Sequence, residues 1–263
     1  MMLKHKVAVI YGGGGGVGSA VARAFAREGA TLFLTGRRRA RLDDVAKEIA
    51  SAGGTVEPAE VDALDEQSVD KHLQSVIDKM GRVDISFNGV GIPNTMLQGV
   101  PFVDLELDQF SLPISTYTKA YFLTARLAAR RMMAQKAGVI MTVTPLPARA
   151  GVPLLGGFAP AMSAVEGLTR GLSAELAPHG IRVVCLRADG MPDSGTIQEV
   201  FGIHAKAHGM TWQQFHDVVA GKNHWRGLAS LAEMANVAAF MASDAASAMT
   251  GTTVNLSMGA LDD

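Results

Sequence analysis

The sequence predicts an α/β protein: a single-domain, doubly wound parallel sheet of about seven strands with helices on both faces. Three observations carry this. Short β-branched or apolar runs alternate with longer stretches of helical period along the whole chain. The first run leads into five consecutive glycines and then an amphipathic stretch. The 263 residues, 48% hydrophobic and 19% charged, show no repeat, low-complexity tract or linker that would divide them, and suffice for one large core.

Strands are expected at Lys6–Tyr11, Thr31–Thr35, Val56–Val61, Val83–Asn88, Val139–Thr144, Ile181–Leu186 and Thr252–Leu256. Most are nearly continuous apolar runs, the pattern of parallel strands buried on both faces. Helices are expected at Val17–Glu28, Ala40–Ala52, Glu66–Met80, about Asp108–Gln135, Phe158–Ala177 and Leu231–Ala242. Right-handed crossovers between successive strands then give a doubly wound sheet of Rossmann type. Residues Met191–Arg226 break the rhythm. They hold four of the seven histidines (His204, His208, His216 and His224) and both tryptophans (Trp212 and Trp225), and they are placed to form a lid over a ligand crevice.

The stretch Val7–Arg23 reads strand, glycine turn, helix, with Gly12, Gly16 and Gly18 at Gly-x3-Gly-x-Gly spacing. Glycines there permit a tight turn and let backbone approach a pyrophosphate, while the helix N-terminus at Gly16, Val17 and Gly18 points N–H groups at phosphate. A glycine-rich turn without a ligand is the plainer reading, and the flanking strand and helix favour nucleotide. The second strand ends Thr35-Gly36-Arg37-Arg38. A carboxylate there would bind a ribose 2′-hydroxyl; arginine suits a 2′-phosphate, so NADP(H) is expected over NAD(H). Arg38, Arg39 and Arg41 also read as the solvated start of a helix.

Net charge is −1, which gives no electrostatic footprint for nucleic acid or an anionic membrane. The lone cysteine, Cys185, excludes an intramolecular disulfide, and no Cys/His spacing suggests a structural zinc. His204 and His208 have i, i+4 spacing on an expected helix, which could bind a metal, but no third ligand is evident, so no metal site is expected. No apolar run has the roughly 18 residues of a membrane span, and no leader pattern precedes the first strand. A cytoplasmic protein is expected.

Over essentially its whole length the chain resembles the short-chain dehydrogenase/reductase family. The glycine loop, Val61-Asp62, Asn88-Gly89-Val90-Gly91, Val165–Val183 and Met241–Gly251 match the family's pattern in order. The resemblance implies that Asp62 contacts adenine and that Asn88 and Gly89 line the cofactor site. The family's Pro-Gly after the sixth strand reads Asp189-Gly190, which places Gly190 beside the cofactor. It also implies a homo-oligomer, tetramer or dimer, built on the two long helices.

The family's chemistry uses Asn, Ser, Tyr and Lys, with tyrosine delivering the proton that hydride transfer to a carbonyl requires. At those positions this chain has Tyr117, Pro145, Phe158 and Met162. Alignment shifts cannot restore the pair. All three tyrosines (Tyr11, Tyr117 and Tyr121) lie at or before residue 121, and no lysine falls between Lys136 and Lys206. Phe158, Met162, Val165, Leu168, Leu172 and Leu176 instead make an apolar stripe, expected to be core or pocket wall. Tyr117 is open to three readings: displaced acid, substrate hydrogen-bond partner or aromatic filler. Arg149, Arg187 and Asp189 are more ordinarily surface or ion-paired groups than catalysts. The expected function is an NADP(H)-binding oxidoreductase homologue acting on a small apolar substrate without the Tyr/Lys pair. The competing reading is an inactive binding module, a ligand sensor or partner subunit.

Overall fold

The computed structural model describes residues 1–262. Its seven strands form one sheet, all neighbours parallel, in the order β3-β2-β1-β4-β5-β6-β7. The strands are β1 (Val7–Tyr11), β2 (Thr31–Gly36), β3 (Thr55–Glu60), β4 (Ile85–Asn88), β5 (Gly138–Pro145), β6 (Ile181–Ala188) and β7 (Thr253–Leu256). All seven expected strands are present, with ends displaced by one or two residues. The sixth extends to Ala188 because Arg187 and Ala188 still pair with Asn255 and Leu256. β1 is buried at every position, as a central strand covered on both faces must be.

The helices are α1 (Gly16–Arg27), α2 (Arg39–Ser51), α3 (Glu66–Met80), α4 (Leu107–Gln135), α5 (Phe158–Leu176), α6 (Gly195–Ala207), α7 (Trp212–Lys222) and α8 (Leu231–Ala242). One core layer joins α1, α2 and α8 to the sheet through residues such as Phe25, Leu32 and Met234. The other joins α3, α4 and α5 through Leu73, Tyr121 and Val165. The stretch between β6 and α8, expected to break the rhythm and to carry a helix at His204 and His208, contains the two helices α6 and α7.

Strand order reverses between β1 and β4, the place where open α/β sheets form their ligand crevice. The opposite end is tied by Asp84. Its buried carboxylate accepts from the Val7 N–H at 2.8 Å and from Arg82 Nε at 3.0 Å, fixing the entry of β1 beside β4. Gly157 precedes α5 without any side-chain cap. A side-chain carbon there would overlap the Phe110 carbonyl, so glycine lets α5 begin directly against α4. That contact fixes where Phe158 sits.

Asp84→Ala strands the buried Val7 N–H and removes a charge-assisted hydrogen bond. We expect a loss of about 2–3 kcal/mol in urea unfolding with an unchanged m-value.

Candidate active site

The crevice is assembled from loops at the C-terminal ends of β1, β4, β5 and β6. Gly12 has φ +75°, and a side-chain carbon on it would lie 2.6 Å from the Gly89 carbonyl oxygen. Gly89 in turn donates its N–H to the Tyr11 carbonyl at 3.0 Å. The two loops therefore touch backbone to backbone, which only glycine permits. Gly18 lies against Gly12 in the same way, and a side chain at Gly16 would meet Ser194 Oγ at 3.0 Å. Val17 packs on the core beneath. Gly15 precedes α1 and no side chain caps that helix, so its first turn offers backbone N–H groups to an anion. This cradle fits a dinucleotide pyrophosphate.

Beyond β2, Arg37 and Arg38 are exposed, while Arg39 is spoken for by Asp43 at 2.8 Å along α2. Arg38, Arg39 and Arg41 are all exposed at the start of α2, as expected of a solvated helix start. Asp62 is half-buried, and its Oδ1 accepts from the Leu64 N–H at 3.0 Å. Asn88 is buried and fully engaged. It donates to Thr124 Oγ1 at 2.9 Å and to the Ala120 carbonyl at 3.3 Å, and accepts from the Val90 N–H at 3.0 Å. Asn88 so anchors α4 to the end of β4. Gly190 is buried beneath α6. A side-chain carbon there would meet the Phe201 ring at 2.7 Å, so this glycine makes room for a residue of α6.

Pro145, Phe158 and Met162 supply no hydrogen-bond donor from their side chains, and Met162 is only 2% exposed. Tyr117 packs edge-on against Phe158 with ring centroids 5.6 Å apart, and against Tyr121 at 6.4 Å. Its hydroxyl oxygen accepts from the Ile92 N–H at 3.4 Å. Burial pushes its pKa up to about 12, against which the Ile92 donor works weakly. Tyr117 thus closes the apolar wall and keeps its phenolic proton in the ordinary pH range.

Sequence reasoning missed the charge beneath this wall. Glu166 lies one turn beyond Met162 and is buried, receiving Arg187 Nε at 2.7 Å, Arg187 Nη2 at 2.9 Å and Thr144 Oγ1 at 3.1 Å. Cys185 Sγ sits 3.3 Å from the same threonine, its thiol pKa raised by burial. A carboxylate four residues after Met162, inside a stripe of apolar side chains, was the available signal. Arg187 proves to be ion-paired, as the plainer reading had it. Asp189 accepts from the Gly190 N–H at 2.8 Å and from Asn223 Nδ2 at 3.3 Å, and burial raises its pKa. Arg149 lies exposed after β5. At the end of α6, His204 and His208 both stack on Phe215 of α7, at 5.7 and 6.1 Å.

The sequence profile of the family described as Enoyl-(Acyl carrier protein) reductase matches residues 13–260. An uncharacterized oxidoreductase of Caenorhabditis elegans is 31% identical over 260 residues, covering 98% of this chain and 80% of its own length. An NAD+-bound xylitol dehydrogenase superimposes with a TM-score of 0.90 at 24% identity, over 97% of this chain and 98% of that one. An actinorhodin polyketide ketoreductase variant with NADPH does so with 0.89 at 21%, over 97% of each chain. The two structural likenesses are of fold.

Two measurements check this geometry. Gly18→Ala forces a side chain into the Gly12 carbonyl and should weaken dinucleotide binding at least about tenfold in calorimetry while the chain stays folded. In alkaline titration at 295 nm the first phenolate should appear at about 12 and vanish in Tyr117→Phe, since Tyr11 and Tyr121 are pushed higher. Between the ordinary phenol pKa of about 10 and 12, the unfolded chain releases this proton first. Tyr117 therefore stabilises the fold below that window, and its contribution is lost as pH rises through it.

Proposed function

The chain belongs to the short-chain dehydrogenase/reductase family, and from that premise we propose that it is an NADP(H)-binding oxidoreductase acting on a small apolar substrate without the family's Tyr/Lys pair. The observation that carries the reading is the contrast within one crevice. The glycine cradle is intact, while the α5 face beside it offers Phe158 and Met162 in place of a proton donor and a cation.

Gly12, Gly16, Val17 and Gly18 with the start of α1 would hold the pyrophosphate, and Asp62, Asn88 and Gly89 border the adenosine side and the switch point. Arg37 and Arg38, exposed where β2 ends and standing in the place of a carboxylate, support a 2′-phosphate and so NADP(H). The bound dinucleotide supplies hydride; the protein supplies orientation and exclusion of water. Phe158, Met162 and Pro145 favour an apolar substrate. Tyr117 is the hydroxyl left at this wall. Its oxygen accepts from Ile92, which leaves its proton to donate to a substrate heteroatom. With a pKa near 12 it is a weak acid, and each positioned acid/base group lost costs typically ~10²–10⁴-fold in rate. The reading therefore favours slow turnover of substrates whose reduction demands little proton transfer over ordinary carbonyl reduction.

A homo-oligomer belongs to the same reading. The exposed Phe122 of α4, with Arg126 5.2 Å above its ring, lines one shallow surface with Leu168 of α5, Thr118 and Lys119, where the two long helices meet. We place the protein in the cytoplasm, in keeping with a single buried thiol, Cys185.

Calorimetry should show NADPH bound at least about tenfold more tightly than NADH, with the difference erased in Arg37→Ala/Arg38→Ala. A panel of carbonyl, enone and imine substrates with NADPH should give slow turnover that Tyr117→Phe lowers further. Absence of binding by either nucleotide sinks the cofactor assignment. Tight binding with no turnover across the panel replaces the enzyme reading with that of a ligand-binding module. Ultracentrifugation should give a dimer or tetramer that Phe122→Glu dissociates.

A further inference from the structure

The β4–α4 loop is gripped from two sides. On one side, Glu199 of α6 accepts through Oε1 from the Asn94 N–H at 3.3 Å, the Thr95 N–H at 3.2 Å and Thr95 Oγ1 at 3.0 Å. One turn further along α6, His204 Nε2 lies 3.2 Å from Gln98 Oε1, and Gln98 Nε2 donates to Asn94 Oδ1 at 2.9 Å. Turning over both amides would keep the Asn94–Gln98 bond, so the imidazole tautomer decides which of Gln98 and His204 donates. Asn94, Gln98 and His204 are each at most 4% exposed, and a side-chain carbon on Gly99 would meet Ile203 of α6 at 2.5 Å. On the other side, the Gly99 N–H donates to the Leu154 carbonyl at 2.8 Å, and Gly156 abuts the Leu97 carbonyl.

The gripped loop begins at Ile92, whose N–H reaches the Tyr117 hydroxyl. The grip of α6 on Asn94 thus lies two residues along the chain from Ile92, the donor to the Tyr117 hydroxyl. A surface loop carrying buried side-chain amides has to satisfy them internally or admit water. Here the partners are supplied by α6.

We propose that this clasp holds α6 shut over the Tyr117 end of the crevice, with Glu199 as the latch at its rim and Gln98–His204 as the bolt inside, so that opening it is the step that admits water and substrate to Tyr117. The inference rests on the reading of this crevice as the reaction site. Glu199 and the Gln98–His204 pair act through the loop and touch no reacting atom; they are positioning residues. Phe201, seated on Gly190 and edge-on to Phe215 at 5.3 Å, gives α6 an apolar hinge on the same side.

The test is made without nucleotide. Glu199→Ala, at an exposed position, and Gln98→Leu, at a buried one, are each titrated at 295 nm against a Tyr117→Phe background. Amide exchange across residues 92–99 is followed in parallel. If the clasp keeps water off Tyr117, both variants move its ionisation from about 12 toward the 10 of a solvated phenol and accelerate exchange of the loop at least about tenfold. Glu199→Gln, which keeps the carbonyl acceptor, should restore most of both. An unchanged Tyr117 midpoint with unchanged exchange in Glu199→Ala overturns the proposal, and so does a lowered midpoint without faster exchange, because water then enters by another route. Should Gln98→Leu not fold, Glu199→Ala decides. Failure of NADPH to bind would remove the cofactor assignment and leave these readouts intact.

Discussion

The site depends on one close approach. At the switch point, the backbone of Gly12 lies against the backbone of Gly89, with Gly18 packed behind it. Neighbouring parallel strands run only about 4.8 Å apart, so the loops leaving β1 and β4 can diverge around a ligand only if neither carries a side chain at the point of contact. The Tyr11 carbonyl to Gly89 N–H bond and the Asn88 side chain then lock both loops to α4. Everything described at the crevice, including the position of Tyr117 on α4, is referred to this junction.

Against that fixed frame, polarity has been redistributed. The wall that faces the crevice is aromatic and aliphatic, while one turn deeper a carboxylate and a guanidinium share a bidentate contact out of reach of solvent. Desolvating two charges is costly, and such pairs stabilise little relative to apolar residues of the same shape; they do impose one geometry. Here Glu166 ties α5 to β6 and, through Thr144, to the end of β5. The α5 face is therefore held in register with the sheet although Phe158 and Met162, at its start, carry apolar side chains.

Much of the fold was legible because its signals are local. Seven apolar runs, the glycine turn and the 3.6-residue stripe on α5 each report a periodic burial that the backbone imposes. The ends of β4 and β6 were less so, because side-chain and cross-strand contacts such as those of Asp84 and Asn255 decide where a strand begins or stops. The replacement of the family's proton-transfer residues was visible from the positions of tyrosine and lysine alone. What lay beyond reach was distance in space: Glu166 meets Arg187 across 21 residues, and Glu199 meets Thr95 across 104. Of the helices within Met191–Arg226, only the turn bearing His204 and His208 was anticipated, and neither helix had its bounds. Their periodicity is carried by histidine, tryptophan and phenylalanine in small clusters, which resemble a ligand-binding loop as much as an amphipathic helix.

Gly157 has a mechanical consequence. With the Phe110 carbonyl occupying the place of a side chain, α5 cannot slide along its axis without driving its first turn into α4. The two longest helices are thus butted together like a beam against a stop, and the wall they present has one setting. The molecule builds one half of its crevice from backbone set against backbone and the other from side chains bonded across a hundred residues of chain.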